Sequence, residues 1–196
     1  MQATTLSFEN IHKHGELFAN MLRARHTTFI GRNNWDLPEA NGMEYDQYDT
    51  PASRWVAVHD FGQVLAGVRL TPTIAKCGVY TYMIRDAQLG LLEDIPSNLL
   101  WEKAPVASHI WESSRVFVSQ SVPAKLRLRV QISLINEMVT SARSLGATSL
   151  LGIIPEHSPR LARRTGLDCQ TAGPILTTGD GESSVCVNIN LASKLH

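Results

Sequence analysis

Charged side chains stand inside apolar, strand-forming sequence at residues 111–119, Trp-Glu-Ser-Ser-Arg-Val-Phe-Val-Ser. Glu112 is a carboxylate that could act as a general base, and Arg115 is a guanidinium that could bind a carboxylate. An ionised group in a buried strand costs several kcal/mol unless it has a partner. Because side chains alternate along a strand, these two residues are expected on opposite faces. We therefore expect either a β-bulge that realigns them or a separate partner for each.

Four charged residues upstream, Arg25, Asp46, Asp49 and Arg69, could supply those partners. Each has an ordinary explanation when it is taken alone. An arginine on a helix can extend along the surface to reach water, a charge can protect an edge strand, and two aspartates can form a solvated turn. The spacing of the acids does not fit a calcium loop. Taken together, these residues predict a charged cleft.

Composition narrows the class of protein. The chain has 196 residues and is 43% hydrophobic, which predicts a single domain over residues 1–196 with a substantial core. Lys+Arg and Asp+Glu both number 18, which argues against a general nucleic-acid binder. Cys77, Cys169 and Cys186 lack metal-site spacing and are expected to be buried, reduced thiols. No apolar run reaches membrane-spanning length, so we expect a soluble, cytoplasmic protein. The cysteine spacing leads us to expect no bound metal.

The first half of the chain alternates helical and strand periodicity. Residues 3–8 predict a short strand, and residues 11–30 predict a helix that Gly31 ends. Residues 32–53 are polar and predict a long loop, which in a small domain usually has a function. Residues 54–60 and 63–71 predict a hairpin closed by Phe61-Gly62.

The second half predicts a strand–helix–strand unit over residues 110–154, whose helix spans residues 123–145. Such a unit joins two parallel strands through a right-handed crossover. A short helix at 158–165 and a strand at 184–191 follow. The fold class is therefore α/β (α+β), with a mixed sheet flanked by helices.

Eight positions, in this order and register, resemble the acyl-homoserine-lactone synthases, the bacterial autoinducer synthase family. The resemblance extends from residue 4 to residue 166. A single element such as Glu-x-x-Arg is weak evidence, whereas eight in register are strong. They are Arg25, Phe29, Trp35, Asp46, Asp49, Arg69, Glu112 and Arg115.

The resemblance implies a fold similar to that of the N-acetyltransferases, with a mostly antiparallel, twisted sheet. It also implies a reaction used in quorum sensing. The amine of S-adenosylmethionine takes an acyl group from a thioester on acyl carrier protein or coenzyme A, and the methionine part closes into a lactone. Methylthioadenosine is released, S-adenosylmethionine is a substrate, and no cofactor is implied. By the family pattern, Arg25, Phe29 and Trp35 close on S-adenosylmethionine, and the other five positions form an electrostatic cluster.

The chemistry requires such groups. S-adenosylmethionine carries a sulfonium, an ammonium and a carboxylate, so its pocket needs acids near the cations and an arginine for the carboxylate. We assign the general base to Glu112 and the placement of the positive end to Asp46 and Asp49. Phe29 and Trp35 could stack on adenine or face the sulfonium. The amine attacks the thioester directly, so no nucleophilic side chain is needed.

An acyl chain needs an apolar tunnel, although ordinary core is the alternative explanation for every candidate residue. Where family members that prefer 3-oxo chains tend to have threonine, this chain has Gly152, which removes bulk and would admit a longer, branched or aromatic chain. The candidates for the tunnel are Val116, Phe117, Val118, Met138, Leu151, Gly152 and Ile153.

Arg160, Arg163 and Arg164 lie at i, i+3 and i+4 and share one side of the short helix. Acyl carrier proteins are acidic, so these arginines are candidates for a docking patch, and a solvated basic surface is the alternative.

Two rival functions remain. One is an acyl-CoA-dependent N-acyltransferase acting on another small amine. It usually holds pyrophosphate on a Gly-rich turn before a long helix, whereas residues 119–127 contain no glycine. The other is a non-catalytic binding domain, which would not need so many charges in apolar elements.

Overall fold

The computed structural model describes residues 1–164, 166–177 and 181–192. The chain divides into two compact units, which are described separately. The first comprises Met1–Leu70 and Arg115–Ser141, and the second comprises Thr71–Ser114 and Ala142–His196. A nine-residue strand, β6 (Ile110–Val118), and a long helix, α3 (Ala124–Ser144), contribute residues to both units. The organisation as one domain over residues 1–196 stays a prediction.

Strands β1 (Gln2–Leu6), β4 (Arg54–Asp60) and β5 (Gln63–Pro72) organise the first unit. β4 pairs antiparallel with both β1 and β5, and the strand order runs β1-β4-β5-β6. Phe61 and Gly62 close the β4–β5 hairpin with φ values of +45° and +85°. Two left-handed residues make the turn that matches the twist of a hairpin. The predicted hairpin is confirmed.

The predicted helix over residues 11–30 is three helical pieces. A 3-10 turn (Ile11–Lys13) is followed by α1 (Leu17–Arg25), which continues into a π-helical segment (His26–Arg32). Gly15 has φ +54° and separates the first two pieces. Gly31 does not end the helix. The amide of Asn33 donates to the carbonyl of Thr28 at 3.1 Å, an ordinary hydrogen-bond length, so the helical segment continues past Gly31.

The region 32–53, predicted to be a loop, contains a very short hairpin. β2 (Glu39–Ala40) pairs antiparallel with β3 (Met43–Glu44). Its turn residues Asn41 and Gly42 have φ values of +53° and +70°. An Asn-Gly pair is the commonest sequence for this two-residue turn. The hairpin brings Glu44 out of the exposed segment and into a fully buried position.

The second unit contains α2 (Met83–Gln88), β7 (Ser149–Pro155), α4 (Ser158–Arg164), β8 (Asp168–Thr177) and β9 (Ser183–Asn190). Its strand order is β6-β7-β9-β8. β6 and β7 are parallel, as the crossover predicted, whereas β9 is antiparallel to both β7 and β8. Neither α2 nor β8 was expected from the sequence. β8 contains Pro174, which a strand at the edge of a sheet tolerates.

The predicted α/β (α+β) class, with a mixed, mostly antiparallel sheet and flanking helices, is confirmed. Each unit has its own apolar cluster, with Trp55 fully buried in the first and Tyr82 fully buried in the second. Cys169 and Cys186 are buried as expected, but Cys77 is exposed, so that part of the cysteine prediction is wrong. None of the helices in the described ranges is both long enough and apolar enough to cross a membrane.

Candidate active site

Helix α1 approaches strand β5 closely at Gly67. A β-carbon added to Gly67 would lie 2.3 Å from Cε of Met21, so the helix packs on bare backbone. Arg25 follows Met21 by one helical turn, about 6 Å along the helix axis. Arg69 follows Gly67 by two strand residues, about 6.6 Å along the same face of the sheet. These matched spacings carry both arginines to the same end of the first unit.

Both arginines bind one aspartate. Arg25 donates from Nη1 to Oδ1 of Asp49 at 2.7 Å and from Nη2 to Oδ2 at 2.9 Å. This is a two-pronged ion pair, the geometry for which a guanidinium is best suited. Arg69 lies 3.1 Å from Oδ1 of the same aspartate and also donates from Nη1 to Oδ1 of Asp46.

A third arginine completes the cluster. Arg115 of β6 places Nη2 2.9 Å from Oδ2 of Asp46, and its Nε donates to Oε1 of Glu44 at 3.1 Å. Glu44 accepts a second hydrogen bond at Oε2 from Nε of Arg25, at 2.5 Å. Three guanidiniums and three carboxylates thus form one buried network in which the formal charges cancel. Its members are Arg25, Arg69, Arg115, Glu44, Asp46 and Asp49.

Backbone and aromatic groups fix the two aspartates further. Asp49 accepts from Nε1 of Trp55 at 2.8 Å and from the amide of Asp46 at 2.9 Å. Asp46 accepts from the amide of Tyr48 at 2.9 Å, and the Tyr48 ring lies 5.6 Å from the guanidinium carbon of Arg69. Buried carboxylates held by several donors remain ionised.

The pKa values follow from these contacts. Burial by itself would raise the pKa of Asp49, but the guanidiniums of Arg69 and Arg25 outweigh it and hold that pKa well below its usual range. Burial likewise opposes ionisation of Asp46, and Arg69 and Arg115 lower its pKa. Burial also works against the charged form of Arg25, yet the neighbouring Asp49 carboxylate raises its pKa above the ordinary value. Asp46, Asp49 and Arg25 are therefore charged at neutral pH.

Arg115 links the cluster to a pair of aromatic rings. Its guanidinium carbon lies 5.6 Å from the centre of the Phe29 ring, a cation–π distance. Phe29 stacks on Trp35 with ring centres 5.1 Å apart and an interplanar angle of 15°. Arg115 itself has φ +54°, a conformation that costs a non-glycine residue about 1–2 kcal/mol. The surrounding contacts hold it there.

The structure resolves the opposite-face problem of Glu112 and Arg115 by giving each its own contacts. Glu112 lies in the second unit and is fully buried. Its Oε1 accepts from the amide of Ile84 at 2.7 Å and its Oε2 from the amide of Met83 at 3.3 Å. These are the first two residues of α2, so Glu112 caps the positive end of that helix.

Two neighbours of Glu112 respond to its charge. Burial first, and the Glu112 carboxylate second, raise the pKa of Tyr82 well above its usual value. The same two causes, in the same order, raise the pKa of the Cys186 thiol to about 12. Both groups therefore stay protonated beside a negative charge, and neither is a candidate nucleophile.

Glu44 was not among the predicted site residues. The sequence offered Asp46, Asp49 and Glu112 to balance three arginines, and the ion pairs of the cluster instead use Glu44 as the third carboxylate. The Asn41-Gly42 turn, which orients the following strand, is the signal that could have found it.

The predicted acyl-pocket residues are divided between the two units, and several are packed in cores. In the first unit, Phe117 is buried and Val116 is half exposed. In the second, Leu151 and Ile153 pack in the apolar cluster. Val118 is partly buried and Met138 is buried, and both residues belong to the first unit. The acyl pocket stays a prediction.

Gly152 has a local packing role that the sequence did not reveal. A β-carbon added there would lie 2.7 Å from Oγ of Ser113, which itself donates to the carbonyl of Leu151 at 3.2 Å. The space beside Gly152 is therefore filled by Ser113. The expectation that Gly152 by itself leaves room for a larger acyl group is not supported by this contact.

The predicted docking arginines lie on α4, which is helical as expected. Arg160 and Arg163 are exposed, whereas the side chain of Arg164 lies outside the described residues.

A model of the autoinducer synthase family matches residues 9–189, nearly the whole chain. The chain belongs to the autoinducer synthase family. This match includes all eight predicted positions and confirms the family predicted from the sequence. An acyl-homoserine-lactone synthase of Ralstonia solanacearum is 29% identical over 190 residues, covering 89% of this chain and 87% of that protein. The predicted enzyme class, an acyltransferase of this family, is confirmed.

Solved structures agree with this assignment. TofI, crystallised in a ternary complex with an inhibitor and MTA, superposes with a TM-score of 0.75 at 25% identity, covering 97% of this chain and 92% of that one. The AHL synthase LasI gives 0.80 at 24% identity, with coverages of 99% and 91%. An acyl-CoA N-acyltransferase from Pseudomonas aeruginosa gives 0.61 at 13% identity, with coverages of 96% and 99%, which confirms the predicted N-acetyltransferase-like fold of this family member.

Proposed function

We propose that this autoinducer synthase makes an N-acyl-homoserine lactone from S-adenosylmethionine and an acyl thioester. The observation that carries the proposal is the family match over residues 9–189, which includes every position of the eight-residue pattern. The ternary complex of TofI with MTA supports methylthioadenosine as the product. The product serves as a quorum-sensing signal, and S-adenosylmethionine is consumed as a substrate.

Two bonds form and two break. The substrate amine attacks the thioester carbonyl, an amide C–N bond forms, and the carbon–sulfur bond of the thioester breaks to release the carrier thiol. The methionine carboxylate then attacks its own γ-carbon, the ester bond of the lactone forms, and the carbon–sulfonium bond breaks to release methylthioadenosine. The substrate ammonium gives up two protons as the amide forms: one leaves through the base to solvent, and the carrier thiolate takes up the other.

We assign the general base to Glu112, acting directly or through one water. A base must lie within hydrogen-bond reach of the proton that it removes. Glu112 also caps α2 through Met83 and Ile84, so the same carboxylate has a structural task. Both oxygens of an ionised carboxylate can accept more than one hydrogen bond, so the two tasks are compatible.

We assign Asp46 and Asp49 a role different from the one that the sequence predicted. Asp46 and Asp49 were expected to contact the positive end of the substrate, but each accepts several protein donors and is less than a tenth exposed. We assign them to fixing Arg25, Arg69 and Arg115. The stacked rings of Phe29 and Trp35 offer the surface for adenine or the sulfonium.

The acyl donor is a thioester of acyl carrier protein or of coenzyme A. Arg160 and Arg163 support a carrier protein, because exposed basic side chains on one helix complement an acidic partner. Nucleic acid and membranes have no role in the proposed reaction.

Turnover of the purified protein tests the proposal. S-adenosylmethionine is incubated with carrier-protein and coenzyme A thioesters of several chain lengths, and lactone and methylthioadenosine are quantified by mass spectrometry. We expect the two products in equal amounts. Acylated S-adenosylmethionine without methylthioadenosine would show that the lactone-forming step is missing, and no product with any donor would reject the proposal.

Two variants then test the base. Glu112→Gln should lower kcat by about a hundredfold or more. Glu102→Gln, at an exposed position of the same unit, is the control and should keep full activity. If Glu112 is only a cap, Glu112→Gln will lower the melting temperature while the folded fraction keeps its normal kcat.

A further inference from the structure

Glu44 connects the two arginines that flank the cluster. It is fully buried, accepts from Nε of Arg25 at 2.5 Å and accepts from Nε of Arg115 at 3.1 Å. Both bonds use the inner nitrogen of a guanidinium. The outer nitrogens are thereby directed to the aspartates, Arg25 to Asp49 and Arg115 to Asp46. Glu44 thus sets the rotation of both guanidinium planes.

The link to Arg115 reaches the aromatic pair. Arg115 lies 5.6 Å from the centre of the Phe29 ring, and Phe29 stacks on Trp35 at 5.1 Å. The amide of Trp35 also donates to the carbonyl of Phe29 at 3.0 Å, so a backbone hydrogen bond connects the two residues in addition to the ring stacking. A displacement of the Arg115 guanidinium therefore changes the surface on which Phe29 and Trp35 are held.

The backbone of Arg115 makes this dependence stronger. Its φ of +54° is unfavourable for a residue with a side chain, so its contacts must hold it in place. Those contacts come from Glu44, Asp46 and the Phe29 ring. Glu44 is presented by the β2–β3 hairpin, whose pairing of Glu39 with Glu44 fixes the position of its backbone.

We propose that Glu44 is a positioning residue that holds Arg115 beneath Phe29 and so sets the Phe29–Trp35 surface for S-adenosylmethionine. The proposal rests on the proposed synthase function. It predicts that Glu44 governs the affinity for S-adenosylmethionine and leaves the affinity for the acyl donor unchanged.

The test separates charge from reach. Glu44→Gln leaves three buried guanidiniums with two carboxylates, and an unbalanced buried charge can prevent folding. Glu44→Asp keeps the charge balance but shortens the side chain by one methylene. It should therefore fold and present its carboxylate about 1 Å or more from the required position, a displacement that can cost a large factor in activity.

For Glu44→Asp we expect the KM for S-adenosylmethionine, and its Kd by calorimetry, to rise about tenfold or more, with the KM for the acyl donor within about twofold of wild type. A purely structural role would reduce the number of active molecules and the apparent kcat at unchanged KM. Glu39→Asp, in the same hairpin with a half-exposed side chain, is the matched control and should leave both constants unchanged.

The outcomes are distinct. An unchanged Kd for S-adenosylmethionine in folded Glu44→Asp overturns the proposal, and so does an equal rise in both KM values. If Glu44→Gln folds, it should show the same selective rise, and a normal Kd there also overturns it. Wild-type protein that makes no lactone contradicts the synthase function instead. Calorimetry with S-adenosylmethionine then still tests Glu44, because binding does not require turnover.

Discussion

The side chain of Met21 in α1 rests on the backbone of Gly67 in β5, where no side chain intervenes. A β-carbon at Gly67 would lie 2.3 Å from Cε and 2.5 Å from Sδ of Met21, and 2.9 Å from Cε1 of Phe117. Met21 is fully buried, so it has little room to withdraw. We expect this contact to set the distance between helix and sheet, and with it the position of Arg25 relative to Asp49.

Gly67→Ala should therefore push α1 away from the sheet. We expect the free energy of unfolding to fall by about 1–3 kcal/mol, the usual cost of overpacking a core. Urea denaturation measures the loss, and S-adenosylmethionine binding should weaken because Arg25 and Phe29 lie further along the same helical segment.

Gly31→Ala is a matched control for this substitution. Its added β-carbon would meet no atom nearer than the carbonyl oxygen of His26 at 3.8 Å, so stability should stay within about 0.5 kcal/mol of wild type. The variant Met21→Ala removes the clashing atoms, so Gly67→Ala should cost less in that background. Equal costs in both backgrounds would show that the Met21 contact does not set the helix position.

The ion cluster predicts how stability depends on pH. The pKa values of Asp46 and Asp49 are lower in the folded protein than in the unfolded chain, where an aspartate titrates near about 3.9. Below that pH the two aspartates are protonated in the unfolded chain but stay ionised in the folded cluster. The stabilisation is therefore complete above about pH 5 and is lost as the pH falls below about 4 towards the folded pKa values.

Urea denaturation at pH values from about 2 to about 7 measures this dependence, because these values bracket the aspartate pKa of about 3.9 in the unfolded chain. Asp49→Asn should lower stability at neutral pH and flatten the acid limb, because one depressed carboxylate is removed. Asp36→Asn, at an exposed position, should leave the acid limb as in wild type. An acid limb of unchanged steepness in Asp49→Asn would contradict the part assigned to this carboxylate.

Local sequence patterns were sufficient to predict those helices and strands whose signals lie within their own residues. The β4–β5 hairpin is encoded by alternating strands around Phe61-Gly62, and α3 by a long helical repeat that ends before Gly146. Helix α2 was missed because its N-cap residue, Tyr82, makes no capping bond. The cap comes from Glu112, which is 28 residues away from Ile84 in the sequence. Such a helix depends on tertiary contact more than on its own sequence.

The site shows the same division. The resemblance supplied the eight positions, and seven of them, all but Glu112, lie in the first unit together with Glu44. Spacing along residues 44–49 could not indicate which acids face the arginines, because that depends on the Asn41-Gly42 turn. Gly152 was interpreted as missing bulk, whereas its environment is filled by Ser113, a residue 39 positions earlier in the sequence.

The exposed arginines of α4 give the last prediction. Arg160 and Arg163 lie one turn apart on that helix, and a carrier protein would meet them with acidic side chains. Reversing both charges, in Arg160→Glu with Arg163→Glu, should lower kcat/KM for a carrier-protein donor by about tenfold at low ionic strength, since charge complementarity acts mainly on the association rate. The same acyl group on coenzyme A should be used at the wild-type rate.

Salt and a matched charge reversal make this test specific. Added salt screens exposed charges over about 8–10 Å at physiological ionic strength and below, so the difference between variant and wild type should shrink as salt is raised. Lys103→Glu, at an exposed position of the same unit, should change neither donor's kcat/KM. If the double variant retains wild-type kcat/KM for the carrier-protein donor at low salt, these two arginines do not form the docking site. An equal loss with both donors would place the defect in the folded unit and not in carrier recognition.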